Sequence, residues 1–529
     1  MSIFTEVQLP NVATSRFDLS HDVKMSFNMG KLIPSCVMEC IPGDQFSINV
    51  QNLLRFAPLV SPVMHRVHVT THFFFVPNRI LWPNWERWIT GDLEVEHPFV
   101  NFSGQIGDVN LGEGSLGDYL GYPLGTVGLV PADAMKASPF AAAAYYKIFD
   151  EYYRDQNLVA EKYVELVDGD NTALYGAIMN SDPLSRAWMH DYFTSALPFA
   201  QKGDAVQVPL VTQNDIPVDY NNNTGTKPIF RNLNTNAIEA ATGFGQVTGQ
   251  GGSIQNLSNS ANVGYDPNGT LSVDVQAGAT DINTLRRAFR LQEWLERNAR
   301  GGTRYIESML AHFGVKSSDK RLQRPEYLGG AKQNMIISEV LNTAGSTGEA
   351  DSPKLEAVGT MAGHGISAGG GGNIRYYAEE HGFIIGLINV QPVTAYTQGL
   401  HRQFSRFDRL DYAWPTFANI GEQEIRVKEL FTLGLTVAQQ EEIFGYVPRY
   451  AEYKYINSRV AGDFRFNLSF WHLARQFANK PVLNEEFITA DPRTDIFAVT
   501  DTDEDHIYAH IFNRVSAVRK LPKFGIPTI

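Results

Sequence analysis

The strongest strand patterns of this 529-residue chain lie at its opposite ends, and that placement constrains the fold more than any other feature. DQFSINVQNLLRF (44–56) and MHRVHVTTHFFFVPN (64–78) come early, HIYAHIFNRVSAVRKLP (506–522) comes last, and EHGFIIGLINVQP (380–392) and GDFRFNLSFWHL (462–473) fall between. These segments are rich in β-branched and aromatic residues, and the first two are separated by the proline-bounded turn APLVSP. Strands drawn from both ends of a chain, with long connections between, are what a Greek-key sandwich requires. The predicted class is mainly β.

Helices are expected inside those connections. SPFAAAAYYKIFDEYYRDQNL opens with Ser138 and Pro139, suited to a cap and first turn, then places Phe140, Ala144, Ile148 and Tyr152 at helical spacing. SDPLSRAWMHDYFTSAL repeats the device with Asp182 and Pro183. LRRAFRLQEWLERNARGG predicts an amphipathic helix with Leu285, Ala288, Phe289, Leu295 and Ala299 along one side and Gly301 as its C-cap.

One segment stands apart. Residues 219–280 carry six charged side chains and are otherwise dominated by Asn, Gly, Thr, Ser, Gln and Ala. Disordered linkers usually carry charge or proline, so an ordered, uncharged external protrusion is predicted. The domain division expected is 1–200 with 283–529, interrupted by an insertion at 201–282 whose candidate exposed residues are Asn221, Asn222, Asn223, Phe244 and Tyr265. AGHGISAGGGGN (362–373) reads as a flexible connector.

Charge is segregated. The chain has a formal net charge of -13, yet residues 286–324 hold ten Arg or Lys against four Asp or Glu. Only 19% of residues are charged, which suits a surface covered by partners and favours assembly. No secretory apolar region and no apolar run of membrane-spanning length is seen, so neither export nor membrane insertion is expected. Cys36 and Cys40 lack further cysteines to complete a four-sulfur metal site and are expected to be buried, reduced thiols.

Candidate chemistry meets a bland reading at each point. No G-K-[ST] follows the glycine run, which argues against a phosphate loop. His65, His68 and His72 fall on both faces of a strand and cannot converge on a metal unaided. DTDEDHIYAHIF opens like a calcium loop, but His506 replaces the turn glycine and Phe512 the bidentate glutamate; at most a weak interface cation site remains. No G-x-S-x-G elbow occurs, and the pairs Glu379-Glu380, Glu441-Glu442 and Glu485-Glu486 read as solvated charge. ILWPNWERW (80–88) suits a core or subunit contact better than base stacking. No enzyme activity, cofactor or metal is expected.

Several long segments resemble the major capsid proteins of gokushoviruses, a branch of the Microviridae. They are FAPLVSPVMHRVHVTTHFFFVPNRILWPNWERWITG, LRRAFRLQEWLERNARGGTRYIESMLAHFGVKSSDKRLQRPEYLGG, EEHGFIIGLINVQP, FGYVPRYAEYKY and IFAVTDTDEDHIYAHIFN. The resemblance implies an eight-stranded antiparallel jelly-roll sandwich of viral capsid type, with long inserted loops and several α-helices. It also implies an icosahedral homo-oligomer of about 60 copies around a circular single-stranded DNA genome. Further partners implied are a small basic DNA-binding protein, scaffolding and pilot proteins and a host surface receptor, with no membrane. The virion would be assembled in the bacterial host cytoplasm, with the uncharged insertion at the threefold axes acting in attachment. Within that frame Arg300, Arg304, Arg321 and Arg324 are candidate subunit contacts. Arg514, Arg519, Lys520 and Lys523, which follow the acidic DTDED with no acidic residue among them, are candidates to face DNA. The alternative is a carbohydrate-binding or carbohydrate-active jelly roll.

Overall fold

The computed structural model describes residues 14–102, 111–124, 135–204, 282–341, 361–501 and 504–524, with residues 206 and 343 and short strand pieces between 216 and 273. Two antiparallel sheets form the centre. Their strands are β1 (Ser15–Asp18), β2 (His21–Phe27), β3 (Ile33–Cys40), β4 (Gln45–Phe56), β5 (Val67–Pro77), β6 (Glu326–Asn334), β7 (Ile336–Leu341), β8 (Met361–Tyr377), β9 (Gly382–Pro392) and β10 (Ile507–Arg519). One sheet runs β1-β10-β4-β8-β7, with β2 also paired to β10, and so has six strands; the other runs β6-β5-β9-β3. The mainly β class and the antiparallel sandwich are as expected from the sequence, with the C-terminal strand lying between strands from the N-terminal end.

Hydrophobic parity assigns the layers. In β4 the residues Phe46, Ile48, Val50, Leu54 and Phe56 are buried while Gln45, Gln51 and Arg55 are exposed. In β10, Ile507, Ile511 and Val515 point in while Tyr508, His510 and Arg514 point out. A period of two gives a sheet with one wet face. Strands β5 and β9 break that rule with the runs FFFV and FIIGLINV. Phe73, Phe75, Ile384 and Ile388 enter the core between the sheets, whereas Phe74, Val76, Ile385 and Leu387 enter a second core on the far side. That second core is closed by α1 (Phe140–Ile148), α2 (Thr172–Met179) and Trp82. Tyr145 of α1 donates to the Leu32 carbonyl and accepts from the Leu184 N–H, both at 2.9 Å, pinning the helix to the entry of β3. Among the described residues the four-stranded sheet is therefore covered on both faces, and the six-stranded sheet on one.

Several segments differ from expectation. The glycine run is not a connector but part of β8, pairing with β4 and β7. A Cβ on Gly365 would lie 2.5 Å from the Phe56 ring, and one on Gly371 would lie 2.7 Å from the Ala331 Cβ. The glycines there serve close approach. Residues 462–473 do not form a strand; they make two 3-10 turns, Gly462–Arg465 and Ser469–Trp471. Residues 181–197 are not a helix, because their backbone is taken by tertiary partners: Leu32 N–H donates to the Leu184 carbonyl, Arg186 N–H to that of Gly30 and Trp188 N–H to that of Ile488. The predicted long helix is present as α3 (Ile282–Gly301), followed by α4 (Tyr305–Phe313). Of its expected apolar stripe only Ala299 is buried, and Gly302 rather than Gly301 takes the left-handed conformation, φ +96°.

The chain divides into two units, Met1–Lys202 with Glu296–Ile529, and Gly203–Leu295. Within the first, a third core built on Tyr192, Phe193, Ile425, Leu430, Phe444 and Phe487 underlies the loop-rich stretch between β9 and β10.

Candidate functional surfaces

Register decides where the basic C-terminal residues go. Arg514 falls on the solvent side of β10 opposite Asn49 and is exposed. Arg519, five residues on, lies at the strand end and binds back into the subunit. Its Nε is 3.2 Å from Asp44 Oδ2, its Nη2 donates to the Glu39 carbonyl at 2.8 Å, and its guanidinium stands 5.7 Å from the Phe46 ring. Asp44 has no exposed surface. Burial pushes its carboxyl above the usual range, opposed by the Ile41 N–H at 3.1 Å and by Arg519. Lys520 lays its stem beside Gly43, and Lys523 is exposed near the Phe524 ring. Of the four, Arg519 is committed within the subunit, while Arg514, Lys520 and Lys523 are exposed.

The sequence reading missed other cations on the same sheet. Arg16, Lys24, Arg55 and Arg375 are also exposed on its uncovered side. The signal was available in the alternation of β4, because placing Phe56 inward sends Arg55 outward.

The arginines from the end of α3 to β6 act largely inside the subunit. Arg300 pairs with Glu422, and its Nη1 lies 3.5 Å from the Ser195 carbonyl. Arg304 donates to the carbonyls of Asp150 at 2.8 Å and Arg154 at 3.1 Å and pairs with Glu307. Arg324 is buried, donates to the Glu151 carbonyl at 3.2 Å, lies 3.4 Å from Asp319 and stacks 4.5 Å from the Tyr152 ring. Arg321 is exposed. Planar guanidiniums that cap several carbonyls at once fasten long insertions to a scaffold. The predicted protrusion residues Asn221, Asn222, Asn223, Phe244 and Tyr265 lie outside the described residues.

A buried ionic knot holds the third core. Glu429 accepts from the Tyr192 hydroxyl at 2.9 Å, the Arg426 N–H at 3.0 Å and Arg402 at 3.2 Å. Glu452 accepts from Arg406 at 3.0 Å and Gln423 at 2.6 Å. Burial raises the Glu429 carboxyl, and Arg402 opposes it. Tyr192, Arg402, Glu429 and Glu452 line one wall of a cavity of about 540 Å³, but carboxylates bonded this fully are fixed in place rather than poised for proton transfer.

The other polar motifs also have their own partners. His65 bonds the Val393 carbonyl at 2.6 Å, His68 the Asn334 side chain at 2.7 Å and His72 the Tyr153 hydroxyl at 2.7 Å, three separate directions. Glu379 pairs with Lys320, Glu380 with Arg79, Glu441 with Lys428, Glu442 with Lys480 and Glu485 with Lys162. Trp82 is fully buried and donates to Asp168 at 2.7 Å, in a cluster with Trp85, Trp88, His97 and Phe140. Cys36 and Cys40 are free and buried, and burial pushes the Cys36 thiol up to about 12.

Large apolar side chains stand out to solvent on the loops above the third core: Phe404, Phe407, Ile456 and Phe466 are 60%, 92%, 77% and 75% exposed. Isolated monomers seldom present so many together.

Comparison with known proteins extends across the chain. A family profile described as capsid protein (F protein) matches residues 5–529. Capsid protein VP1 of Bdellovibrio phage phiMH2K is 36% identical over 537 residues, covering 98% of this chain and 96% of that protein. Capsid protein VP1 of Chlamydia phage 1 is 35% identical, covering 99% and 97%, and that of Spiroplasma virus 4 is 30% identical, covering 98% and 95%.

Proposed function

Because this chain belongs to the Microviridae capsid protein (F protein) family and is thereby a structural subunit of a phage capsid, we propose that about 60 copies close into a small icosahedral shell around circular single-stranded DNA. The observation that carries the assembly reading is the set of exposed apolar side chains on the loop-rich stretch, Phe404, Phe407, Ile456 and Phe466. Contact with neighbouring copies would remove this surface from water, at about 25 cal/mol per Å² of apolar area. The uncharged insertion acts as an external protrusion at the threefold axes in host attachment, a reading supported by its composition. Since the chain is acidic overall, a small basic protein shares the neutralisation of the genome. Scaffolding and pilot proteins and assembly in the bacterial cytoplasm complete the proposal. Among the described residues no helix is long and apolar enough to cross a membrane.

Electron microscopy of the purified protein tests this reading. Closed particles of one size are expected, with nuclease-protected single-stranded DNA when they are taken from infected cells. Phe407→Ser with Ile456→Ser should leave folded subunits that no longer close. A wild-type protein that stays monomeric under all assembly conditions would count against it.

A further inference from the structure

Among the described residues nothing covers one face of the six-stranded sheet, and the charge of that face runs against that of the chain. Arg16, Lys24, Arg55, Arg375 and Arg514 are exposed there, and none forms an ion pair among the described residues. The carboxylates on the same side are Asp18 and Asp22. Asp18 is occupied by the Ser20 hydroxyl at 2.5 Å and the Ser20 N–H at 3.0 Å, which hold it below the usual carboxylate range, with Arg514 adding less. Asp22 is bonded to His510 at 2.8 Å. Other outward positions carry no charge: Gln45, Ser47, Asn49 and Gln51 offer hydroxyl and amide groups, and Leu53, Tyr508 and Phe512 lie toward the other end.

At one end this face is grooved. A depression of about 520 Å³ is lined by Arg16, Arg375, Tyr377, Gln45, Ser47 and Ser516. The strand register explains why they meet: Val518 faces Arg16 and Gln45, Gln45 faces Tyr377, and Ser47 faces both Ser516 and Arg375. Arg16 fixes its Nε on the Ser516 hydroxyl at 2.8 Å, which leaves its two terminal nitrogens for another acceptor. Tyr377 is 49% exposed beside them. Two unpaired guanidiniums, hydroxyl donors and an exposed aromatic ring in one open groove match the sugar-phosphate backbone and one base of a single strand.

We propose that this groove holds the backbone of single-stranded DNA inside the shell, with Arg16 and Arg375 on phosphates and Tyr377 stacking a base. The assignment rests on the reading of the chain as the shell of a single-stranded DNA phage and names the contact surface within it. A duplex would offer phosphates but no free base face for Tyr377.

The test uses the full chain, as shells and as dissociated subunits titrated with a fluorescent thymidine oligonucleotide over a salt series. For single strands each phosphate contact contributes about 0.7 to the slope of log K against log salt, so Arg16→Gln with Arg375→Gln should lower the slope by about 1.4. Replacing both by Lys should keep the slope, and Tyr377→Leu should weaken binding at unchanged slope. Shells of the double Gln variant should form and hold less DNA. An unchanged slope in that variant overturns the assignment. So does failure of its shells to close while the subunit stays folded, which makes the face a subunit interface. Equal displacement of the oligonucleotide by polyglutamate at matched charge also overturns it, in favour of an acidic protein ligand. Wild-type shells that contain no single-stranded DNA would instead remove the reading on which the proposal rests.

Discussion

Replacing Arg519 by Gln separates two roles for the basic C-terminal strand. The variant leaves Asp44 wholly buried with the Ile41 N–H on Oδ2 and no cation beside it. Breaking a fully buried ion pair from one side costs about 3–5 kcal/mol. Arg519 keeps 21% of its side chain in water, and Asp44 keeps one hydrogen bond, so the expected loss is smaller, about 2–3 kcal/mol. The pH dependence follows from the direction of the Asp44 shift. Burial already raises its folded pKa, and loss of Arg519 raises it further, so the folded variant takes up a proton more readily than the unfolded chain. The deficit should therefore be full at neutral pH and shrink as pH falls through the raised Asp44 pKa, where a neutral carboxyl no longer needs a cation. Urea denaturation of dissociated subunits at two pH values measures this without shell contacts, and adding Asp44→Asn should recover most of the loss. If Arg519→Gln leaves subunit stability unchanged at neutral pH and lowers only packaged DNA, the ion-pair argument fails and Arg519 belongs with the DNA-facing residues.

Burial holds His72 down to about 4, so its stabilising effect is complete above its unfolded value near 6.5 and lost as pH falls toward 4; His72→Phe should flatten that limb of a stability-against-pH curve. Gly365→Ala should cost about 1–3 kcal/mol by forcing Phe56 aside, read as a lower denaturation midpoint. Cys36 and Cys40 should ignore a thiol reagent in the native subunit and both react after denaturation without reductant; a mass lower by two hydrogens would show a bridge. Replacing 221–274 by a short Gly-Ser linker should leave a soluble folded subunit while impairing attachment, checked by circular dichroism and host-cell binding.

What was legible in the sequence was parity. Strands β4 and β10 alternate, and the structure uses that alternation to make one dry and one wet face. The unalternating runs of β5 and β9 marked strands buried on both sides. Aromatic content misled at residues 462–473, where Phe464, Phe466, Phe470 and Trp471 suggest a strand but no described strand pairs with them. Phe466 instead stands in solvent, on a surface suited to another copy. The Asp182-Pro183 start signal lost to tertiary hydrogen bonds that no local pattern encodes. The glycine run of β8 carried a signal for flexibility, whereas its cause was crowding by Phe56 and Ala331, residues remote in sequence. Likewise the charge of Arg519 was visible, but its commitment to Asp44 depends on a strand end meeting a turn that precedes it by most of the chain.

The insertion of β10 between β1, β2 and β4 sets a rule for synthesis. Arg16 and Ser516, bonded across two adjacent strands, are 500 residues apart, so the six-stranded sheet cannot close until β10 has left the ribosome. Contacts of such high order form late and slowly. A truncated product lacks the strand that joins its N-terminal strands to β4 and leaves those edges bare. It has no finished six-stranded sheet to bring to a neighbouring copy. The topology thus ties closure of this sheet to the synthesis of β10, and a chain stopped before it should be more open to proteolysis.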